Sequence, residues 1–167
     1  MGLKEEIQNL IATERGRLET RESKMDQFLS TQKARLTVLN SLLTELANAV
    51  SPEYVRTNLA EDTAEISVGW NRPEDGAFET KLRWTVAPNH QSKIDHEAGY
   101  AWLDPSVGFT VVETSFLAYE MSEQKRTFPD EATLVEHIAN NIAKRIASVE
   151  FNKEKTAKRP DHLPNPT

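Results

Sequence analysis

The chain has 167 residues, of which 38% are hydrophobic and 28% are charged, and its formal net charge is −6. The length fits one domain plus an extended helix, and the acidic balance argues against nucleic acid as a partner, since phosphate backbones attract basic surfaces. Cysteine is absent, which excludes disulfides, thiolate nucleophiles and metal sites with Cys ligands.

Membrane insertion and secretion have no support in the sequence. The longest apolar runs span only a few residues, far short of the roughly 20 that cross a bilayer. No apolar signal-peptide region follows Met1. We therefore expect a cytoplasmic protein without a membrane partner.

Residues 3–50 predict one long amphipathic helix. They lack proline, hold a single glycine (Gly16) and are rich in helix-forming residues, and their apolar residues recur at steps of three and four. Such a helix is about 70 Å long, whereas a domain of about 110 residues is only about 30–35 Å across. The helix must therefore overhang, or it breaks near Gly16 into an antiparallel pair.

An overhanging apolar stripe needs cover from another chain, and a homodimer supplies it most simply. Polar residues, among them Glu14, Arg21, Gln32 and Arg35, interrupt the coiled-coil pattern. The competing interpretation is that the whole helix folds back onto its own domain. The predicted partner-binding residues are Ile7, Ile11, Leu18, Met25 and Phe28.

Strands follow the helix, which we expect to end at Ser51-Pro52 because residues before proline avoid the α conformation. Residues 53–59 fit a short helix or a strand, and we favour a strand. Residues 64–70 and 78–86 then alternate between apolar and polar. The Asp75-Gly76 turn between them is typical of a β-hairpin.

The next part of the chain predicts further antiparallel strands. We expect a polar loop at 87–95, a strand near 97–103 and a turn at 104–106. The apolar run 107–121 should form another strand, with a bulge near Glu113 where the apolar alternation shifts. Short connections favour an antiparallel meander of four to six strands over parallel βαβ units.

The C-terminal part predicts a second helix followed by a tail. Residues 127–131 resemble a helix start, with Pro129 in the first turn and acidic residues at the positive end of the helix dipole. Residues 151–167 are polar and proline-rich, and we expect disorder there. The expected buried stripe of this helix is Leu134, Val135, Ile138, Ile142, Ile146 and Val149.

The predicted fold class is therefore α+β. A long helical segment at 1–50 serves oligomerisation. A unit at 51–150 contains the antiparallel sheet and a C-terminal helix packed on it, and 151–167 is the tail.

Five aromatic residues of the sheet define an alternative binding site. On one face they could line a pocket for an apolar or planar ligand, although large aromatic side chains more often form the core. The residues of this possible pocket are Trp70, Phe78, Trp84, Tyr100 and Trp102.

Catalytic and metal-binding patterns are weak. His90, Asp95, His96 and Glu97 cluster in sequence, but adjacent residues of a strand point to opposite faces. We expect His137 at the surface of the last helix. The sequence contains no HExxH motif, no nucleophile elbow and no phosphate-binding glycine loop. We predict no metal or other cofactor, and a protein that is not an enzyme.

The sequence thus favours a non-catalytic protein–protein interaction module, similar in class to adaptors and secretion chaperones, with an unidentified protein partner. The N-terminal helix would form a coiled-coil homodimer. The alternative function is a small apolar-ligand-binding domain that uses the aromatic face of the sheet.

Overall fold

A computed structural model describes residues 2–97, 99–116 and 120–157 of the chain. It confirms the α+β fold: a long N-terminal helix, a five-stranded antiparallel sheet and a C-terminal helix on the sheet. The elements are α1 Leu3–Val50, β1 Val55–Leu59, β2 Ala64–Asn71, β3 Phe78–Asp95, β4 Tyr100–Phe116, β5 Met121–Phe128 and α2 Glu131–Ala157.

Helix α1 runs unbroken through Gly16 for 48 residues, about 72 Å at 1.5 Å per residue. Gly16 is exposed, and a Cβ there would meet nothing within 4 Å. Glycine lowers the helix propensity by about 1 kcal/mol, which the surrounding helix-forming residues offset. The helix ends at Ser51, before Pro52, as the sequence predicts.

The sheet is a simple meander in the order β1-β2-β3-β4-β5. The strand predicted within 53–59 is β1, which pairs with β2 from Val55↔Val68 to Leu59↔Ala64. The β2–β3 hairpin turns through Gly76 at φ +71°, a left-handed conformation that glycine adopts without steric cost.

Strands β3 and β4 are longer than the sequence predicts. The expected loop at 87–95 is strand, and the expected turn at 104–106 is strand as well, because the two segments pair with each other from His90↔Pro105 to Asp95↔Tyr100. We call this two-stranded extension, residues 90–105, the arm. Ala98 lies outside the described residues, as do residues 117–119 of the apolar run.

The prediction of a bulge near Glu113 is wrong. Pairing of β4 with β3 and with β5 is continuous through Glu113. Register shifts lie between Val68 and Gly69 of β2 and between Pro88 and His90 of β3, where the sheet passes into the arm.

One face of the sheet, the inner face, packs against both helices. Alternate residues of β2, β3 and β4 are buried there, and the two helices contact each other above them. The cluster includes Leu36, Leu39 and Leu43 of α1, Ile66, Val68, Trp84, Val86 and Val111 of the sheet, and Leu134, Ile138 and Ile142 of α2. On the outer face, β2 and β3 carry intervening polar residues such as Glu65, Arg83 and Thr85, and Glu65 contacts the other two.

Helix α2 begins at Glu131 and extends further than predicted. Of the predicted helix start at 127–131, Thr127 and Phe128 belong to β5, and Pro129 precedes the capping residue Asp130 and does not lie in the first turn. The Asp130 carboxylate accepts a 2.7 Å hydrogen bond from the Thr133 backbone N–H and caps the helix. The helix continues to Ala157, so the expected disorder is wrong for 151–157, while residues 158–167 lie outside the described part of the chain. Half-buried Val135, Ile146 and Val149 flank the buried stripe.

Candidate interaction surface on α1

The first half of α1 exposes a row of large apolar side chains. We call residues 3–25 the overhang. Its six large apolar side chains are 41–71% exposed. They are Leu3 71%, Ile7 48%, Leu10 68%, Ile11 60%, Leu18 55% and Met25 41%.

This exposed row continues the buried face of the same helix. Leu18, Met25, Leu36 and Leu43 are separated by 7, 11 and 7 residues, which are sums of the three- and four-residue steps that define one side of an α-helix. Leu36 and Leu43 are 3% and 0% exposed. The apolar face is therefore covered by the chain's own sheet in its second half and uncovered in its first.

Phe28 marks the point at which this cover begins. Its ring lies 5.8 Å from the His90 ring, edge to face, and it is only 9% exposed. Phe28 is thus packed within its own chain, which corrects its placement among the residues left free for a partner. Four of the five predicted partner-binding residues, Ile7, Ile11, Leu18 and Met25, are exposed as the hypothesis requires.

Two polar residues of α1 fasten the base of the arm. Arg35 donates from Nη1 to the Asn89 carbonyl at 3.1 Å and from Nη2 to the Gly108 carbonyl at 2.7 Å. Gln32 donates to the carbonyls of Pro88 and Asn89 at 3.2 and 3.3 Å. These contacts lie at the register shift, so α1 satisfies carbonyl oxygens at a break in the strand ladder.

Burial lowers the pKa of Arg35, opposed by the charge of Glu131. The guanidinium remains charged at physiological pH, since arginine does not deprotonate in proteins. It also lies 5.1 Å from the centre of the Phe109 ring. Sequence reasoning treated Gln32 and Arg35 as interruptions of a coiled-coil pattern, and no local signal identified them as contacts to the arm.

The tip of the arm reaches back to the end of the overhang. Lys24 Nζ lies 3.6 Å from the centre of the Trp102 ring and 5.9 Å from that of Tyr100, which are cation–π distances. Lys93 and Asp104 form a 2.8 Å ion pair across the two strands of the arm. The tip of the arm therefore lies beside Lys24, at the C-terminal end of the overhang.

The five aromatic residues of the predicted pocket do not come together. Trp84 is fully buried in the core, and Trp70 packs at its edge. Phe78 lies on the outer face of the sheet, where the Arg56 guanidinium is 3.9 Å from its ring centre. Arg56 points away from the core because it directly follows buried Val55 in the strand. Tyr100 and Trp102 lie in the arm.

A separate cleft does form around Trp70, between the end of α2 and the β2–β3 turn. It has a volume of about 650 Å³, and Trp70, Pro73 and Val149 are among its apolar lining residues. Lys153, also in its lining, donates a 3.0 Å hydrogen bond to the Tyr54 hydroxyl. That hydrogen bond raises the pKa of Lys153.

The polar cluster at the edge of the core is centred on Glu113. Trp84 Nε1 donates to Glu113 Oε2 at 3.0 Å, and His137 Nε2 lies 3.4 Å from the same oxygen. His137 also packs against the Phe128 ring, 5.0 Å between centres, so it is half-buried rather than a surface residue as expected. The cluster satisfies the buried indole N–H.

Metal ligands do not converge within 2–97, 99–116 and 120–157, where no three His, Asp or Glu side chains are placed to hold an ion. In the same ranges neither helix has an apolar stretch long enough to cross a membrane. Comparison of the chain with protein-family models, with curated proteins and with solved structures gives no match.

Proposed function

We propose that this protein is a non-catalytic interaction module that binds another protein chain through the overhang of α1. The observation that supports the proposal is that the apolar face of α1 is exposed along the overhang and becomes buried at Phe28. Six large apolar side chains on that face are 41–71% exposed, and contiguous exposed apolar patches are typical of protein-binding sites.

The rest of the molecule supports an adaptor-like or chaperone-like role in assembly. The sheet, arm and α2 cover the second half of α1 and hold the overhang away from the core. The hydrogen bonds that Gln32 and Arg35 donate to backbone carbonyls at the base of the arm help to hold α1 on the rest of the molecule. A rigid helix projecting from a folded base loses little conformational entropy when a partner binds it. The simplest partner is a second copy of the chain.

Two matched substitutions on α1 test this function. Leu18 and Val38 are both 55% exposed, but only Leu18 lies on the uncovered apolar face. Leu18→Asp should abolish association because a buried unpaired carboxylate is costly, whereas Val38→Asp should not. Sedimentation velocity measures both. Equal behaviour of the two variants would contradict a role for the overhang.

A second candidate function is binding of a small apolar ligand in the cleft around Trp70. Its supporting observation is the volume of about 650 Å³ with Trp70, Pro73 and Val149 in the lining, within the size range of small-molecule sites. Titration with a fluorescent fatty acid tests it. Saturable quenching of indole emission that disappears in Trp70→Phe would support this function, and unchanged emission would count against it.

A further inference from the structure

The distribution of charge along the overhang differs between its two halves. Residues 3–14 contain one lysine and three glutamates, a net charge of −2. Residues 15–25 contain three arginines and one lysine against two glutamates, a net charge of +2. The acidic half lies at the start of α1, and the basic half lies next to the arm.

We propose that the overhang pairs with the overhang of a second copy of this chain in antiparallel orientation. The acidic half of each helix then faces the basic half of the other, whereas parallel pairing sets like charges side by side. Opposite charges in flanking positions set the orientation of paired helices. This inference rests on the proposed function and names its partner and geometry.

The cover on α1 also excludes the parallel arrangement. From Phe28 onward the arm and sheet of the same chain bury the core-facing residues of this helix face, which are Phe28, Leu36, Leu39 and Leu43. Paired helices are 8–10 Å apart, so two parallel helices in contact over residues 3–25 would bring both arms into the narrow space between them. An antiparallel pair places the two arms at opposite ends of the contact.

The overhangs match in length when the two-fold axis passes near residue 14. This alignment sets Leu3 near Met25 of the partner subunit, and Leu10 and Ile11 near Leu18 of the partner subunit. Glu14 lies beside the axis, where Arg17 of the same helix, 3.1 Å away, offsets its charge. The contact is about 34 Å long, close to three heptads, a short interface for a coiled coil.

Distance measurement between spin labels tests the orientation, because the chain has no native cysteine. Thr13 and Ser23 are exposed positions of the overhang that lie off the apolar face. Full-length Thr13→Cys and Ser23→Cys variants, each labelled with a nitroxide, are measured separately as dimers by pulsed electron paramagnetic resonance. Sedimentation of each labelled protein checks that its mass is unchanged.

The antiparallel pair predicts a short distance of about 20 Å for the label at residue 13 and a long one for residue 23. In an antiparallel pair the two labels at residue 23 are separated by 18 residues along the helix axis, which is about 27 Å. Adding the separation between the helices gives a label-to-label distance of roughly 30–40 Å. Two short distances would show a parallel pair and overturn the orientation while leaving self-association intact. A monomeric wild-type protein would overturn the self-association on which the orientation depends.

Discussion

Arg35 of α1 and Gly108 of β4 are joined by a 2.7 Å hydrogen bond from Nη2 to the Gly108 carbonyl, across 73 positions of sequence. Gly108 has φ +89°, and a Cβ there would lie 2.3 Å from the Phe128 carbonyl oxygen. The base of the arm therefore depends on a cation in the helix and on a glycine in the strand.

Gly108→Ala should destabilise the fold by at least about 3 kcal/mol, because alanine is strained at positive φ and the added carbon meets backbone. Gly76→Ala is the matched control: it shares a positive φ of +71° but has open space around it, so about 1–2 kcal/mol is expected. Urea unfolding measures both. Equal losses would show that the close approach to Phe128 is unimportant.

Arg35→Met should cost about 1–3 kcal/mol, since the Asn89 and Gly108 carbonyl oxygens lose their donors. Lys33→Met, at an exposed position of the same helix outside the overhang, should change stability by less than about 0.5 kcal/mol. Hydrogen exchange should also speed up in the arm of the Arg35 variant only. Unchanged protection there would contradict the fastening role.

Phe28→Ala should destabilise the protein by about 3 kcal/mol without lowering its solution mass, because Phe28 packs on the arm and not on a partner. Its neighbour Leu29 is 55% exposed, and Leu29→Ala should have little effect on stability. Denaturation and sedimentation of both variants separate the two roles. A monomeric but fully stable Phe28→Ala protein would place Phe28 in the intermolecular contact.

Glu113→Leu should cost about 1–3 kcal/mol, since the buried Trp84 indole N–H loses its acceptor. Glu113→Gln keeps an acceptor oxygen and should retain most of the stability. The Trp84 indole resonance in a ¹⁵N-correlated NMR spectrum should shift most in the leucine variant. Indistinguishable spectra for the two variants would count against this hydrogen bond.

The cap of α2 should make stability depend on pH. The hydrogen bond from the Thr133 backbone N–H lowers the pKa of Asp130 from 3.8. The carboxylate therefore contributes stability above the unfolded-state pKa, and this contribution is lost as the pH falls through the lower folded-state value. The stability difference between wild type and Asp130→Ala should shrink progressively as the pH falls below about 5. A constant difference would contradict the assignment.

Periodicity predicted the elements that have a strong local pattern. The three- and four-residue steps predicted helix α1 and identified the buried residues Leu134, Ile138 and Ile142 of α2, and the alternation over 64–70 predicted β2. The first strand of the arm was missed because residues 89–93 are all polar, and their strand structure comes from pairing with β4. Polar β5 was missed for the same reason, since it gains its structure from pairing with β4.

The sequence predicted only those residues of the candidate site whose exposure follows from the length of α1. A helix of about 72 Å is longer than its domain is wide, so its length predicted that Ile7, Ile11 and Leu18 are exposed. Phe28 could not be assigned correctly, because the arm that buries it was not expected. The acceptors of Gln32 and Arg35 are more than 50 residues away in sequence, and no local pattern connects them.

Sedimentation equilibrium of the wild-type protein over a range of concentrations tests the central claim most directly. Self-association through the overhang predicts a mass that rises from 18.9 kDa toward twice that value across roughly micromolar concentrations, as expected for a short interface of about three heptads. A mass that stays at 18.9 kDa at every concentration, up to about a millimolar, would contradict it.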